Sequence, residues 1–112
     1  MRLYRDSSGD PRAHGEKGKE LLAQFLESDV QDSVSLGRKI LAAIDKIAGG
    51  HLDEWERTGN AYTLTLAPDG ADIEPEMADT MADTTEPLHL TLAELREGVA
   101  RWVAFLGETA SA

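Results

Sequence analysis

Apolar residues recur at helical spacing in two segments of the first half of the chain. The first segment runs from Glu16 to about Leu26, and its apolar positions are Leu21, Leu22, Phe25 and Leu26. The second follows a short break near residues 28–32 and has a candidate N-cap at Ser33 or Ser35. Its stripe, spaced i, i+4, i+5, i+8 and i+11, is formed by Leu36, Ile40, Leu41, Ile44 and Ile47. The pattern predicts two amphipathic helices, the second ending at Gly49-Gly50.

The last part of the chain predicts a third helix. Thr91 and Glu94 match the Thr-x-x-Glu capping box, in which each side chain satisfies a backbone N–H of the other residue. The apolar face that follows consists of Leu92, Leu95, Val99, Trp102 and Leu106. We expect this helix to pack on a sheet and to end at Gly107.

Between these helices the period of the pattern changes to two. Trp55 and Arg57 alternate with glutamates, and 58–60 (Thr-Gly-Asn) supplies a turn. Tyr62, Leu64 and Leu66 then share one strand face, and 68–70 (Pro-Asp-Gly) predicts a turn into a strand that ends near 75. Residues 3–14 predict an additional N-terminal hairpin.

These elements predict an α+β fold in which residues 1–112 form one two-layer domain. Its antiparallel sheet would consist of the N-terminal hairpin and a three-stranded meander, with about three helices packed on it. The segment 76–87 is poor in apolar residues and predicts an acidic loop.

Composition narrows the class of protein. The 112 residues include no Cys, which excludes a disulfide scaffold and thiol chemistry, and no run approaches the roughly 20 apolar residues of a membrane helix. No signal core follows the N-terminus, so we expect a cytoplasmic protein without a membrane partner. The net charge of −10 argues against direct binding to nucleic acid.

The charge is unevenly distributed along the chain. Residues 1–48 hold eight bases and eight acids, whereas residues 49–112 hold three bases and 13 acids. A solvated acidic loop that keeps the protein soluble is one interpretation, and a surface for a basic partner is the other. The candidate partner-binding acids are Asp69, Asp72, Glu74, Glu76, Asp79 and Asp83.

Two aromatic residues lie beside the turn at 58–60. Trp55 and Tyr62 would come near each other in a hairpin, where they form either a core pair or an exposed anchor beside the acids. We include both among the candidate partner-binding residues.

The residue types that could serve in catalysis or metal binding do not occur at the spacing of any recognisable motif. The acidic stretch after Asp69 has Ala71 and Glu74 where an EF-hand loop requires an oxygen ligand and glycine. The three histidines lie in separate segments, and no serine has a nucleophile-elbow context. We therefore expect no metal, no cofactor and no enzymatic activity.

The segment 55–64 (WERTGNAYTL) resembles the Trp-x-Arg-x-Gly-x-x-Tyr-Thr-Leu hairpin of the YacL-like family of small uncharacterised bacterial proteins. The resemblance implies a fold more than a role, and it implies no catalytic residues. More loosely, a small, acidic, Cys-free α+β chain resembles the immunity proteins of bacterial contact-dependent and polymorphic toxin systems.

These resemblances leave two functional hypotheses. The leading one is a non-enzymatic immunity protein that neutralises a basic nuclease toxin, and the alternative is a YacL-like housekeeping adaptor or regulator. We expect a monomer or a weak homodimer, since Pro11 and Pro75 limit pairing through edge strands.

Overall fold

The computed structural model describes residues 2–15, 19–59, 62–75 and 88–110, with side chains up to residue 107. These described residues form six strands and three α-helices. In order they are β1 (Arg2–Arg5), β2 (Pro11–His14), α1 (Glu20–Phe25), α2 (Val34–Ala48), β3 (Trp55–Thr58), β4 (Tyr62–Ala67), β5 (Gly70–Pro75), β6 (Leu88–Leu90) and α3 (Leu92–Ala110). The prediction of an α+β fold is confirmed.

The main sheet is an antiparallel meander in the order β3-β4-β5-β6. Leu64 lies opposite Ile73, which in turn lies opposite Leu88, so these apolar residues share one face of the sheet. Leu64 and Ile73 are fully buried, and α1, α2 and α3 contact the central strands. The meander therefore has four strands where the sequence pattern predicted three. The three residues of β6 are too few to display a period of two, so the pattern missed this strand.

The N-terminal hairpin does not join this sheet. Among the described strands, β1 and β2 pair only with each other, which corrects the expectation of one shared sheet. The Glu27 carboxylate attaches the hairpin instead. It accepts a hydrogen bond from the backbone N–H of Ala13 at 2.7 Å and lies 3.1 Å from Nε of Arg12.

The first helix is shorter than its pattern predicted and passes into a π-helical turn, Leu26–Val30. This turn occupies most of the expected break at 28–32. The chain leaves it through Gln31, whose φ of 55° lies in the region that favours glycine. The Gln31 carbonyl accepts a hydrogen bond from the indole N–H of fully buried Trp102 at 2.7 Å. A buried polar group of α3 thus depends on the conformation at Gln31.

The second helix has the predicted ends. Ser33 caps it by accepting the backbone N–H of Leu36 at 3.1 Å, and the chain turns at Gly49 and Gly50. Helices α2 and α3 pack closely because Gly37 has no side chain. A Cβ there would overlap Cγ2 of Val103.

The third helix begins with the predicted capping box. The backbone N–H of Glu94 donates to Oγ1 of Thr91, and the backbone N–H of Thr91 donates to Oε1 of Glu94, both at 3.0 Å. The helix does not end at Gly107 but continues to Ala110, since one internal glycine costs a helix only about 1 kcal/mol. No helix in the described part of the chain is both long and apolar enough to cross a membrane.

Candidate interaction surface

The four-stranded sheet leaves one face uncovered by the helices. Strand residues alternate between faces, so the positions between the buried residues point away from the core. These outward positions include no Lys or Arg on the described strands. We call them the outer face, and they are Glu56, Thr58, Thr63, Thr65, Asp72, Glu74 and His89.

Asp72 and His89 form a hydrogen-bonded pair on the outer face. They lie opposite each other on β5 and β6, and Nδ1 of His89 is 2.7 Å from Oδ1 of Asp72. This hydrogen bond raises the pKa of His89 above its usual value of 6.5. Partial desolvation of the imidazole lowers the pKa, but the negative charges of Asp72 and nearby Asp69 raise it further, so the net shift is upward. Both side chains are about half exposed, so the pair is accessible to a partner.

Gly70 allows this pair to form at the end of the sheet. It has φ of +140°, and a Cβ there would lie 2.5 Å from the carbonyl oxygen of Leu90 and 2.8 Å from Cε1 of His89. Any other residue at the turn between β4 and β5 would therefore push β6 and its histidine away from Asp72.

The structure brings together three of the six predicted acids. Asp72 and Glu74 lie on the outer face, and Asp69 lies in the turn beside it. Glu76, Asp79 and Asp83 lie outside the described residues, as does the whole predicted loop at 76–87.

The two predicted aromatic anchors lie on the other face of the sheet. Trp55 pairs with Leu66 and therefore shares the side of the sheet that faces the helices. Tyr62 packs edge-on against Phe25 with ring centroids 6.5 Å apart, and its hydroxyl donates to Oε1 of Gln24 at 2.8 Å. Neither aromatic residue is continuous with the outer face, and both are half-buried against the core.

Asp29 holds the turn between β3 and β4 and was not singled out by the sequence. It is only 8% exposed, and its Oδ2 accepts the backbone N–H of Tyr62 at 3.1 Å. The same carboxylate fills the space beside Gly59, where a Cβ would lie 2.8 Å from Cγ of Asp29. The glycine of the hairpin motif is thus required by a residue 30 positions earlier in the chain, and no local pattern indicates this contact.

A groove between α2 and β3 was also missed. It has a volume of about 350 Å³, and Leu52 and Trp55 contribute to its apolar lining. Three cations line it: Lys39 and Lys46 from α2, and Arg57 from β3. A signal was present, because Lys39 and Lys46 are seven residues apart on one face of a helix and Arg57 alternates with Trp55 on a strand.

The described residues contain no metal centre. Within residues 2–15, 19–59, 62–75 and 88–110, no three His, Asp or Glu side chains come close enough to hold a metal ion.

Comparison with known proteins identifies the family. A family model described as an uncharacterised protein family, UPF0231, matches residues 2–99. The chain belongs to this family. It is also similar to a UPF0231 protein of Shewanella amazonensis (strain ATCC BAA-1098 / SB2B). The two are 28% identical over an alignment of 101 residues, which covers 80% of this chain and 82% of the relative. No solved structure matches the chain.

The UPF0231 match confirms the expectation of a small uncharacterised bacterial family. It covers the hairpin motif at 55–64 and the outer face, as well as Asp29 and the α2–β3 groove. The outer face and the α2–β3 groove therefore both lie within the residues that the family model matches.

Proposed function

We propose that this protein is a non-enzymatic binding protein whose outer face docks a basic protein partner. The observation that carries the proposal is the charge of that face. Glu56 projects from β3, and Asp72 and Glu74 project from β5. Asp69 lies at the adjacent turn, and no Lys or Arg shares the outward positions of the described strands of this sheet. A sheet face that the described helices leave exposed, with charges of one sign, suits a complementary protein surface.

The binding mechanism is electrostatic attraction followed by close pairing. Complementary fields raise association rates from about 10⁵–10⁶ to about 10⁸–10⁹ M⁻¹s⁻¹ at low salt. The threonines between the acids supply hydroxyl groups that donate to or accept from the partner's polar groups. Protonation of His89 removes one negative charge from its pair with Asp72, so attraction weakens as the pH falls.

In its specific form the proposal identifies the partner as a nuclease toxin. Nucleases hold phosphates with Lys and Arg, and a face of carboxylates competes for those same side chains. The protein would then be the immunity protein that covers the toxin's basic cleft. A toxin reading frame immediately upstream of the gene supports this form, and an isolated gene contradicts it.

The second candidate is a YacL-like housekeeping adaptor or regulator. Membership of the uncharacterised UPF0231 family, whose model covers residues 2–99, supports it together with the resemblance of the hairpin at 55–64. This candidate uses the same outer face and differs in the identity of the partner.

The experiment is affinity capture from the native host with two matched variants. The double variant Asp72→Asn/Glu74→Gln removes two charges from the outer face, and the control Asp53→Asn/Glu97→Gln removes two exposed charges elsewhere. We expect a basic protein that the wild type and the control capture and the outer-face variant does not. Capture that survives in the outer-face variant contradicts the proposal.

A kinetic measurement on the captured partner then tests the mechanism. The association rate is expected to fall steeply between about 10 mM and 150 mM salt, because the Debye length shortens from about 30 Å to about 8 Å. An association rate that does not change with salt refutes electrostatic attraction, even if the partner is genuine.

A further inference from the structure

The groove between α2 and β3 is a cationic site in a strongly acidic protein. The chain carries a net charge of −10, yet Lys39, Lys46 and Arg57 meet at this groove with Glu56 as the one acid among its lining residues. Arg57 and Trp55 point to the helix side of β3, whereas the side chain of Glu56 projects to the outer face. The rim of the groove is therefore positive.

None of these three cations has an acidic partner in the part of the chain that the structure describes. Arg12, Lys19 and Arg96 each lie within 4.0 Å of a carboxylate. Within the described ranges, Lys39, Lys46 and Arg57 make no ion pair, and all three are exposed. Their charges are available to a ligand.

The groove also runs along an open edge of the sheet. Strand β3 is the first in the order β3-β4-β5-β6, so its outer edge pairs with no described strand. The backbone N–H of Gly59 donates to the carbonyl of Tyr62, which makes these residues a hydrogen-bonded pair. Because such pairs alternate along antiparallel strands, the backbone groups of Glu56 and Thr58 point outward from the edge.

We propose that this groove and edge bind an extended acidic segment of a partner protein, which adds a strand beside β3. The backbone of that segment pairs with the outward groups of Glu56 and Thr58. Its Asp and Glu side chains, spaced two residues apart, reach Lys39, Lys46 and Arg57. An apolar side chain at another position of the same alternating series contacts Trp55, which shares this face of the sheet and whose ring is half-buried in the lining of the groove.

Charge decides the chemistry of the occupant. Three unpaired cations favour a segment of opposite sign, and at physiological salt the Debye length of about 8 Å limits repulsion from the distant outer face. The groove therefore differs in sign from the outer face and lies on the other side of the sheet. The two surfaces would bind different partners, and neither proposal depends on the other.

The test is selection of peptides from a random 12-residue phage-displayed library on the immobilised full chain. We expect the selected peptides to carry Asp or Glu together with an apolar residue in one series of alternate positions, which places these side chains on the same face of the added strand. Their affinity, measured with synthetic peptides, should fall about tenfold for Lys39→Glu and for Arg57→Glu, equivalent to about 1.4 kcal/mol. The matched control is Arg38→Glu, an exposed position next to Lys39 that does not line the groove.

Two readouts localise binding. Amide shifts should change at 55–58, and tryptophan fluorescence should respond through Trp55, because Trp102 is fully buried. Circular dichroism of each variant checks that the fold is retained. The proposal is overturned if the peptides are not acidic, or if Arg38→Glu weakens binding as much as Lys39→Glu. Self-association of the free chain that Lys39→Glu abolishes also overturns it, because the groove would then serve a second copy.

Discussion

The contact between Asp29 and Gly59 gives a sharp test of how the β3–β4 hairpin is held. A Cβ at position 59 would lie 2.8 Å from Cγ and 3.2 Å from Cβ of Asp29, and closer still to Oδ2. The carboxylate cannot move aside freely, because it is 8% exposed and its Oδ2 accepts the N–H of Tyr62 at 3.1 Å. Gly59→Ala should therefore displace Asp29 and break this hydrogen bond.

The expected cost follows from these two effects. Overpacking costs about 1–3 kcal/mol, and the lost hydrogen bond costs about 0.5–1.5 kcal/mol. Alanine also lowers the conformational entropy of the unfolded chain, which raises the free energy of unfolding by about 0.4–1 kcal/mol. Gly59→Ala should thus lower the free energy of unfolding by about 2 kcal/mol, whereas a substitution without a clash would raise it.

A double-mutant cycle separates the clash from other effects. Asp29→Ala alone leaves the N–H of Tyr62 without its acceptor and should cost about 1–3 kcal/mol. It also removes Cγ and Oδ2, so Gly59→Ala should cost little in that background. The coupling free energy should be about 1–2 kcal/mol.

The assay is urea unfolding followed by tryptophan fluorescence and circular dichroism. Gly107→Ala is the control, because a Cβ at Gly107 meets nothing within 4 Å and alanine favours a helix. If Gly59→Ala leaves stability unchanged or if the two substitutions are additive, then Asp29 does not set the geometry of the hairpin.

Three further results are expected. Gly37→Ala should lower the free energy of unfolding in urea by about 1–3 kcal/mol, because the new Cβ would overlap Val103. Val103→Ala should recover part of that loss, and an equal cost of Gly37→Ala with and without Val103→Ala would contradict close packing of α2 and α3. Thr91→Ala should lower stability by about 0.5–2 kcal/mol and the melting temperature with it, because Oγ1 caps α3; an unchanged melting temperature would show that the cap is dispensable. The raised pKa of His89 means that its contribution to stability is complete below about pH 6.5 and is lost as the pH rises through the folded-state pKa. NMR titration of the imidazole should show that raised value, and His89→Gln should remove this part of the pH dependence; a pKa at or below 6.5 would contradict the pair with Asp72.

The sequence predicted those elements whose determinants lie within one turn or one strand. The Thr91–Glu94 capping box and the Ser33 cap are local hydrogen bonds between neighbouring residues, and both form as expected. The period of two from Trp55 to Ile73 likewise specified which side of each strand faces the helices. These features follow from local geometry that the order of residues encodes directly.

Features set by distant contacts could not be predicted in this way. Strand β6 exists because Leu88–Leu90 pairs with β5 across the segment that the pattern predicted as a loop. The attachment of the hairpin through Glu27 and the burial of Asp29 both join residues at least 14 positions apart. The candidate acids were predicted from local charge, but strand pairing, which local charge does not specify, decides that Asp72 and Glu74 lie on the outer face.

Because the N-terminal hairpin is separate from the main sheet, the backbone amides of the protein should show two levels of protection from hydrogen exchange. Because β1 and β2 pair only with each other among the described strands, the hairpin can detach without breaking the four-stranded sheet. It is held by the buried Ala13, by the Glu27 carboxylate and by Arg5, whose guanidinium carbon lies 5.7 Å from the centroid of the Phe105 ring. Its amides should exchange with deuterium by a local opening, at a free energy below that of global unfolding, while those of β4 and β5 report the stability of the whole core. The first 15 residues therefore form a unit that a partner, a protease or a denaturant could release while the core remains folded.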